Sequence, residues 1–211
     1  MTRRWFYGIL FYVGRFSENT SMGNRPTKKT EVLQMKEFFT TKRLCRAGVI
    51  AALYVALTYA FAPLAFGPFQ IRPAEALCIL PVFFPEAIPA LYIGCILSNL
   101  ASPYLVYDVF IGSLATLLAA ISAYLVGRYL KKEPYRFILC GLPTVLFNAF
   151  IIPLIIVFLC GGAEGYKTAV TAYFAFVGSI ALTEAIWVYV LGAPLYSAVN
   201  RLQKRNFDLF K

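Results

Sequence analysis

The chain has 211 residues, of which 60% are hydrophobic and 14% charged, and its mean hydropathy is +0.68. Globular domains carry roughly a quarter charged residues, so this composition excludes an ordinary water-soluble domain and describes an integral membrane protein. A formal net charge of +10 would suit nucleic acid, but the basic residues fall in tails and in one short loop, which points to membrane topology instead.

Residues 1–43 form a basic N-terminal extension. Its one apolar run, Trp5 to Val13, is too short to cross about 30 Å of hydrocarbon, and no small-residue cleavage site follows it. Met35 opens KEFFTTKRLCRAG, a basic lead-in to a first span. Residues 1–34 are therefore expected to be either a dispensable extension or sequence upstream of the true start.

Leu44 to Leu64 is the first span, and Ala47, Ala51, Ala52 and Ala56 give it a stripe of small residues. Small residues let backbones approach closely, so the stripe serves either packing within the subunit or docking against another one. Phe66 to Asn99 is almost wholly apolar, yet it holds Arg72, Glu75, Glu86 and Asn99 among Pro73, Pro81, Pro85 and Pro89. Polar groups and irregular backbone are costly at membrane depth unless they pair or line a cavity. The stretch thus reads as the wall of a binding site; the alternative is a kinked or re-entrant pair in which Arg72 and Glu75 merely neutralise each other.

Within it, Ala74 to Phe84 is a second element whose helical residues reach only about 16 Å at 1.5 Å per residue. Glu86 to Ser102 is the third, with Glu86 read as a helix N-terminal charge. Tyr104 to Leu130 is the fourth, with a small-residue face at Gly112, Ser113, Ala115 and Ala119. A basic loop at 128–136 precedes the fifth, Phe137 to Leu159; the sixth is Ala169 to Val199, and residues 200–211 are a basic tail. Of the twenty Lys and Arg, all but Arg72 and Lys167 lie in the N-terminus through Arg46 at the start of the first span, the 128–136 loop and the C-terminus. By the positive-inside bias both termini are cytoplasmic. The expected fold is an all-α membrane protein: a six-transmembrane-helix bundle over residues 44–199, its second helix short and proline-interrupted. Four spans with a re-entrant pair at 74–102 have the same parity and stay open.

This topology puts Glu75, Asn99 and Asp108 towards the outer surface and Asn148 and Glu184 near the middle of the last two spans. Tyr173 and Glu184, eleven residues apart, share a helix face, with Trp187 one turn further on; Thr144 and Asn148 are paired likewise. Carboxylates beside an aromatic suit a flat ligand with N–H donors, because the ring stacks and the acid accepts. For Asn148 alone, an interhelical hydrogen bond is an equal alternative. The five cysteines form no CxxC and the chain has no histidine, so they read as small hydrophobes, with neither a metal site nor a disulfide framework expected. The sequence contains no phosphate loop, HExxH or GxSxG, and no cofactor is expected.

The segments FGPFQIRPAEALCILPVFFPEAIPALYIGCILSN, YDVFIGSLATLLAA, LPTVLFNAFIIP and TEAIWVYVLGAPL resemble the QueT family over roughly Ala47 to Leu195. This family comprises substrate-specific S components of energy-coupling factor (ECF) importers, thought to take up queuosine precursors. The resemblance implies a six-helix bundle that binds a heterocycle, a 7-deazaguanine such as preQ1 or preQ0, near the outer surface. It implies that the alanines of the first span dock against an ECF transmembrane coupling subunit driven by two ATPase subunits, and that Arg72, Glu75, Asn99, Asp108, Asn148 and Glu184 are the family's polar positions. Pro73 stands where the family carries serine and Thr183 where it carries glycine. Two other classes compete: an integral-membrane enzyme acting on a lipid or isoprenoid through intramembrane carboxylates, which lacks the DDxxD or ExxH clusters that hold divalent metals, and an assembly factor, which would need no buried acids.

Overall fold

The structure is a computed structural model that describes residues 40–66, 70–130, 132–133, 135–162 and 164–205. The expectations for residues 1–34, and for the end of the basic tail, lie outside the described residues. Among those described, every regular element is helical. They are α1 (Thr41–Ala60), a 3₁₀ helix (Pro73–Val82), α2 (Ala87–Asn99), α3 (Leu105–Tyr129), α4 (Tyr135–Leu159) and α5 (Ala169–Lys204). α1, α3, α4 and α5 are long and apolar enough to cross a membrane, whereas the 3₁₀ helix and α2 are shorter apolar helices.

Several boundaries differ from those expected, two of them by four residues or more. The first helix stops at Ala60, and Ala62–Ala65 forms a separate turn begun by Pro63, because proline is accepted in a first turn and resisted further in. The last helix continues past Val199 to Lys204, since Asn200 to Lys204 contains no breaker and its basic side chains favour a helix C-terminus.

The 3₁₀ helix is the hub of the bundle. Every residue from Pro73 to Pro81 is buried, and the segment packs against α2, α3, α4 and the middle of α5. A 3₁₀ helix rises about 2.0 Å per residue against about 1.5 Å for an α-helix. Its ten residues therefore reach about 20 Å, further than the α-helical expectation for the same stretch. The prolines at either end fit this geometry, since neither Pro73 nor Pro81 can donate to a helical ladder.

Where the segment ends, two arginines hold it. Arg136 donates from Nε to the Gly127 carbonyl at 3.1 Å and from Nη2 to the Val82 carbonyl at 3.4 Å, with its guanidinium 5.5 Å from the Phe83 ring centroid. Arg46 pairs with Glu86 at 2.7 Å and lies over Phe84. Glu86 does stand at the start of α2, but its side chain makes no cap hydrogen bond; it serves as the buried partner of Arg46.

α1 is held through few residues, since Ile50, Tyr54 and Thr58 are its only buried side chains. It crosses α2 at Gly94, where an added Cβ would stand 3.0 Å from the Tyr54 Cβ and 3.2 Å from the Ala51 carbonyl. The four alanines consequently divide between two faces. Ala47 and Ala51 are half-buried beside the packed face, while Ala52 and Ala56 are exposed.

Three π-helical turns interrupt the long helices, at Asp108–Gly112, Ile155–Leu159 and Trp187–Leu191. Pro153 and Pro194 each remove a backbone donor near one of them. Such turns re-aim side chains and recur at functional sites; here one carries Asp108 and another begins three residues after Glu184.

Candidate functional site

The polar residues that the sequence places at membrane depth gather around the first turn of the 3₁₀ helix. Glu75 is fully buried. Its Oε1 accepts from the Tyr54 hydroxyl of α1 at 2.5 Å and its Oε2 from the Cys78 thiol at 3.1 Å. Arg72 turns the other way: Nη2 lies 3.8 Å from Asp108 Oδ2, Nε donates to the Ala65 carbonyl at 3.3 Å, and the guanidinium stands 5.3 Å from the Phe66 ring centroid. The possibility that Arg72 and Glu75 only neutralise each other is thereby overturned, because each has a closer partner from another element.

Asp108 Oδ2 also accepts from the Ser102 hydroxyl at 2.5 Å. Asn99 donates from Nδ2 to the Asp108 carbonyl at 2.7 Å, which ties α2 to the π turn of α3. An added Cβ on Gly112 would meet that amide nitrogen at 3.3 Å, so a side chain there would press on the donor. Further along, Asn148 of α4 donates to Glu184 Oε1 of α5 at 3.1 Å. The π turn of α5 that begins at Trp187, three residues after Glu184, packs against the 3₁₀ helix.

The unmet groups of this cluster include one donor, Arg72 Nη2, which pairs with Asp108 only at 3.8 Å, and several acceptors. Gln70 Oε1, Asn99 Oδ1, Thr144 Oγ1 and Glu184 Oε2 are buried without a hydrogen-bond partner among the described residues. Three of the four are acceptors only, and the threonine hydroxyl can accept. Of Glu75, Asp108 and Glu184, only Glu184 has such an oxygen. A buried acceptor left unmade costs about 1–3 kcal/mol, so these atoms are the groups of the cluster open to an N–H or O–H donor.

Tyr173 and Trp187 make their contacts elsewhere. The Tyr173 hydroxyl donates to the Phe150 carbonyl at 3.2 Å and its ring meets Phe158 and Phe174. The Trp187 ring faces Phe61 at a centroid distance of 6.4 Å. Shared register on α5 aligned them with Glu184 in projection, but the helix is packed on more than one side and each ring follows its own neighbour.

Tyr54, Cys78, Ser102 and Gln70 escape a reading of the sequence by charge. For Tyr54 a signal exists: with Ile50 and Thr58 it forms an i, i+4, i+8 stripe in an apolar helix, opposite Ala52 and Ala56. Gln70 is buried with a φ of 48°, the left-handed region that a non-glycine residue occupies at a cost and that clusters at functional sites.

The fold, with its buried polar cluster, is that of a multi-pass helical membrane protein. The model of the family described as "QueT transporter" matches residues 44–201, and the chain belongs to that family. The family is described as one of transporters, which speaks against the reading as a membrane enzyme. A curated relative, the Queuosine precursor transporter QueT of Lactococcus lactis subsp. cremoris (strain MG1363), is 37% identical over 90 residues. The matched region is 41% of this chain and 52% of the relative, so the chain spans about half the length of the curated relative it matches. No solved structure gives a significant match.

Proposed function

We propose that the protein is the substrate-binding S component of an ECF importer and takes up a 7-deazaguanine queuosine precursor. The observation that carries this reading is the unmet Glu184 Oε2, with Thr144 Oγ1 unmet one helical turn from Asn148. A guanine-like edge presents a ring N–H and an exocyclic amine side by side, and a carboxylate oxygen accepts from such donors. Glu184 Oε2 is free for that role while Asn148 steadies Oε1. Thr144 and Asn99 offer further acceptors for a ring's remaining donors.

The aminomethyl and nitrile precursors share this edge and differ in a side group that is cationic only in the first. Glu75 and Asp108 are the carboxylates left to meet the amine. Both already accept hydrogen bonds, from Tyr54 and Cys78 and from Ser102, so the amine must join or displace these partners. Arg72, beside Asp108, then sets how much negative charge the amine finds.

In this reading the chain makes six crossings with both termini in the cytoplasm, and the exposed face of α1 at Ala52 and Ala56 docks against the coupling subunit of a complex powered by two ATPase subunits. Close backbone approach at small residues is the physical basis of that docking. Calorimetric titration of the purified protein with the aminomethyl and nitrile 7-deazaguanines and with hypoxanthine tests the proposal. Both precursors bind, and hypoxanthine, which lacks the exocyclic amine, binds at least tenfold more weakly. Failure of both precursors to bind overturns the substrate assignment.

A further inference from the structure

A concavity lies at the basic end of the bundle, away from the polar cluster. It has a volume of about 380 Å³ and is lined by Glu133, Phe137, Ala193, Tyr196, Ser197, Asn200, Arg201 and Lys204. The α5 residues recur at helical spacing along one face, and their character changes steadily. Ala193 and the ring of Phe137 form one end, Ser197 and Asn200 the middle, Arg201 and Lys204 the other. From Ala193 to Lys204 this gradient covers about 16 Å of helix axis.

Arg201 and Lys204 are exposed and form no ion pair among the described residues. Glu133, the acid in the lining, is engaged: it accepts from the Tyr196 hydroxyl and stands 3.9 Å from Arg136 Nη1. Phe137 packs on Tyr196 at a centroid distance of 5.2 Å, so the floor is aromatic, as is common where membrane helices meet headgroups.

We infer that this cleft binds an anionic phospholipid, its phosphate held by Arg201 and Lys204 and its chains leaving past Ala193 and Phe137. A free phosphate shares the anionic chemistry but has no use for the apolar end. The apolar-to-cationic gradient is therefore what selects the lipid, and basic pockets between membrane helices are a general site for such headgroups. The inference does not depend on the substrate assigned above.

The test uses the full chain stripped of lipid in detergent and titrated with dihexanoyl-phosphatidylglycerol, dihexanoyl-phosphatidylcholine and inorganic phosphate. Phosphatidylglycerol binds at least tenfold more tightly than either of the others. The double variant R201Q/K204Q weakens it about thirty-fold, and Ala193→Phe, which narrows the apolar end, weakens the lipid but not phosphate. Binding of the 7-deazaguanines is unchanged in both variants. Equal binding of phosphatidylcholine, wild-type affinity in the double variant, or inorganic phosphate binding as tightly as the lipid would each overturn the proposal.

Discussion

Replacing Glu184 by glutamine is the most informative single change. The substitution preserves shape, so it removes charge and one acceptor without opening a cavity. Asn148 Nδ2 donates to Oε1 at 3.1 Å, which leaves the new amide two orientations. If its NH2 faces Asn148, two donors oppose each other until the asparagine flips; if it faces the guest, it opposes the guest's N–H donors. In either case the charge-assisted acceptor is lost. Hydrogen bonds to charged groups contribute about 1.5–3 kcal/mol, so affinity for both the aminomethyl and the nitrile precursor falls by about ten- to two-hundredfold. The loss is the same for the two ligands within a factor of about three, because the shared edge and not the side group is affected. Calorimetric titration measures both affinities, and a thermal melt checks that the variant is folded. A folded Glu184→Gln protein that binds both ligands like wild type refutes the placement of Glu184 at the guest's edge.

Tyr54→Phe removes the donor to Glu75 Oε1, leaves a buried carboxylate oxygen unmet, and lowers the melting temperature by an amount equivalent to about 1–3 kcal/mol; an unchanged melt would show that the contact is not formed. Asp108→Asn weakens the aminomethyl ligand more than the nitrile ligand in parallel titrations, since the ion pair exists only for the amine. Ala52→Trp or Ala56→Trp lowers co-purification with the coupling subunit while ligand titration stays near wild type, whereas Ala51→Trp lowers the melting temperature because that residue lies against α2 at Gly94. Gly94→Leu likewise destabilises, since its Cβ alone reaches 3.0 Å from the Tyr54 Cβ.

Most of the architecture is legible in the sequence because membrane helices announce themselves by apolar length, and the polar exceptions, Arg72, Glu75, Asn99, Asp108, Asn148 and Glu184, stand out against that background. Who pairs with whom is not legible. Arg72 and Glu75 are three residues apart, but Arg72 stands outside the 3₁₀ helix at its N-cap (φ −117°, ψ 86°) and meets Asp108 while Glu75, inside it, meets Tyr54. No propensity marks ten residues that begin on one proline and hold a second as 3₁₀ over α. The small-residue stripe of the first span also hides two faces, because spacing alone does not say which side the rest of the bundle covers. Tyr173 and Trp187 share a register with Glu184 but not a neighbour, which one helix in isolation cannot reveal.

The claim that the interior holds a 7-deazaguanine is tested most directly by denaturing protein purified from cells supplied with both precursors and identifying the released heterocycle by mass spectrometry. The account predicts a 7-deazaguanine released from the wild-type protein and largely absent from Glu184→Gln. A wild-type protein that releases no such heterocycle, or a variant that retains it equally, would contradict the account.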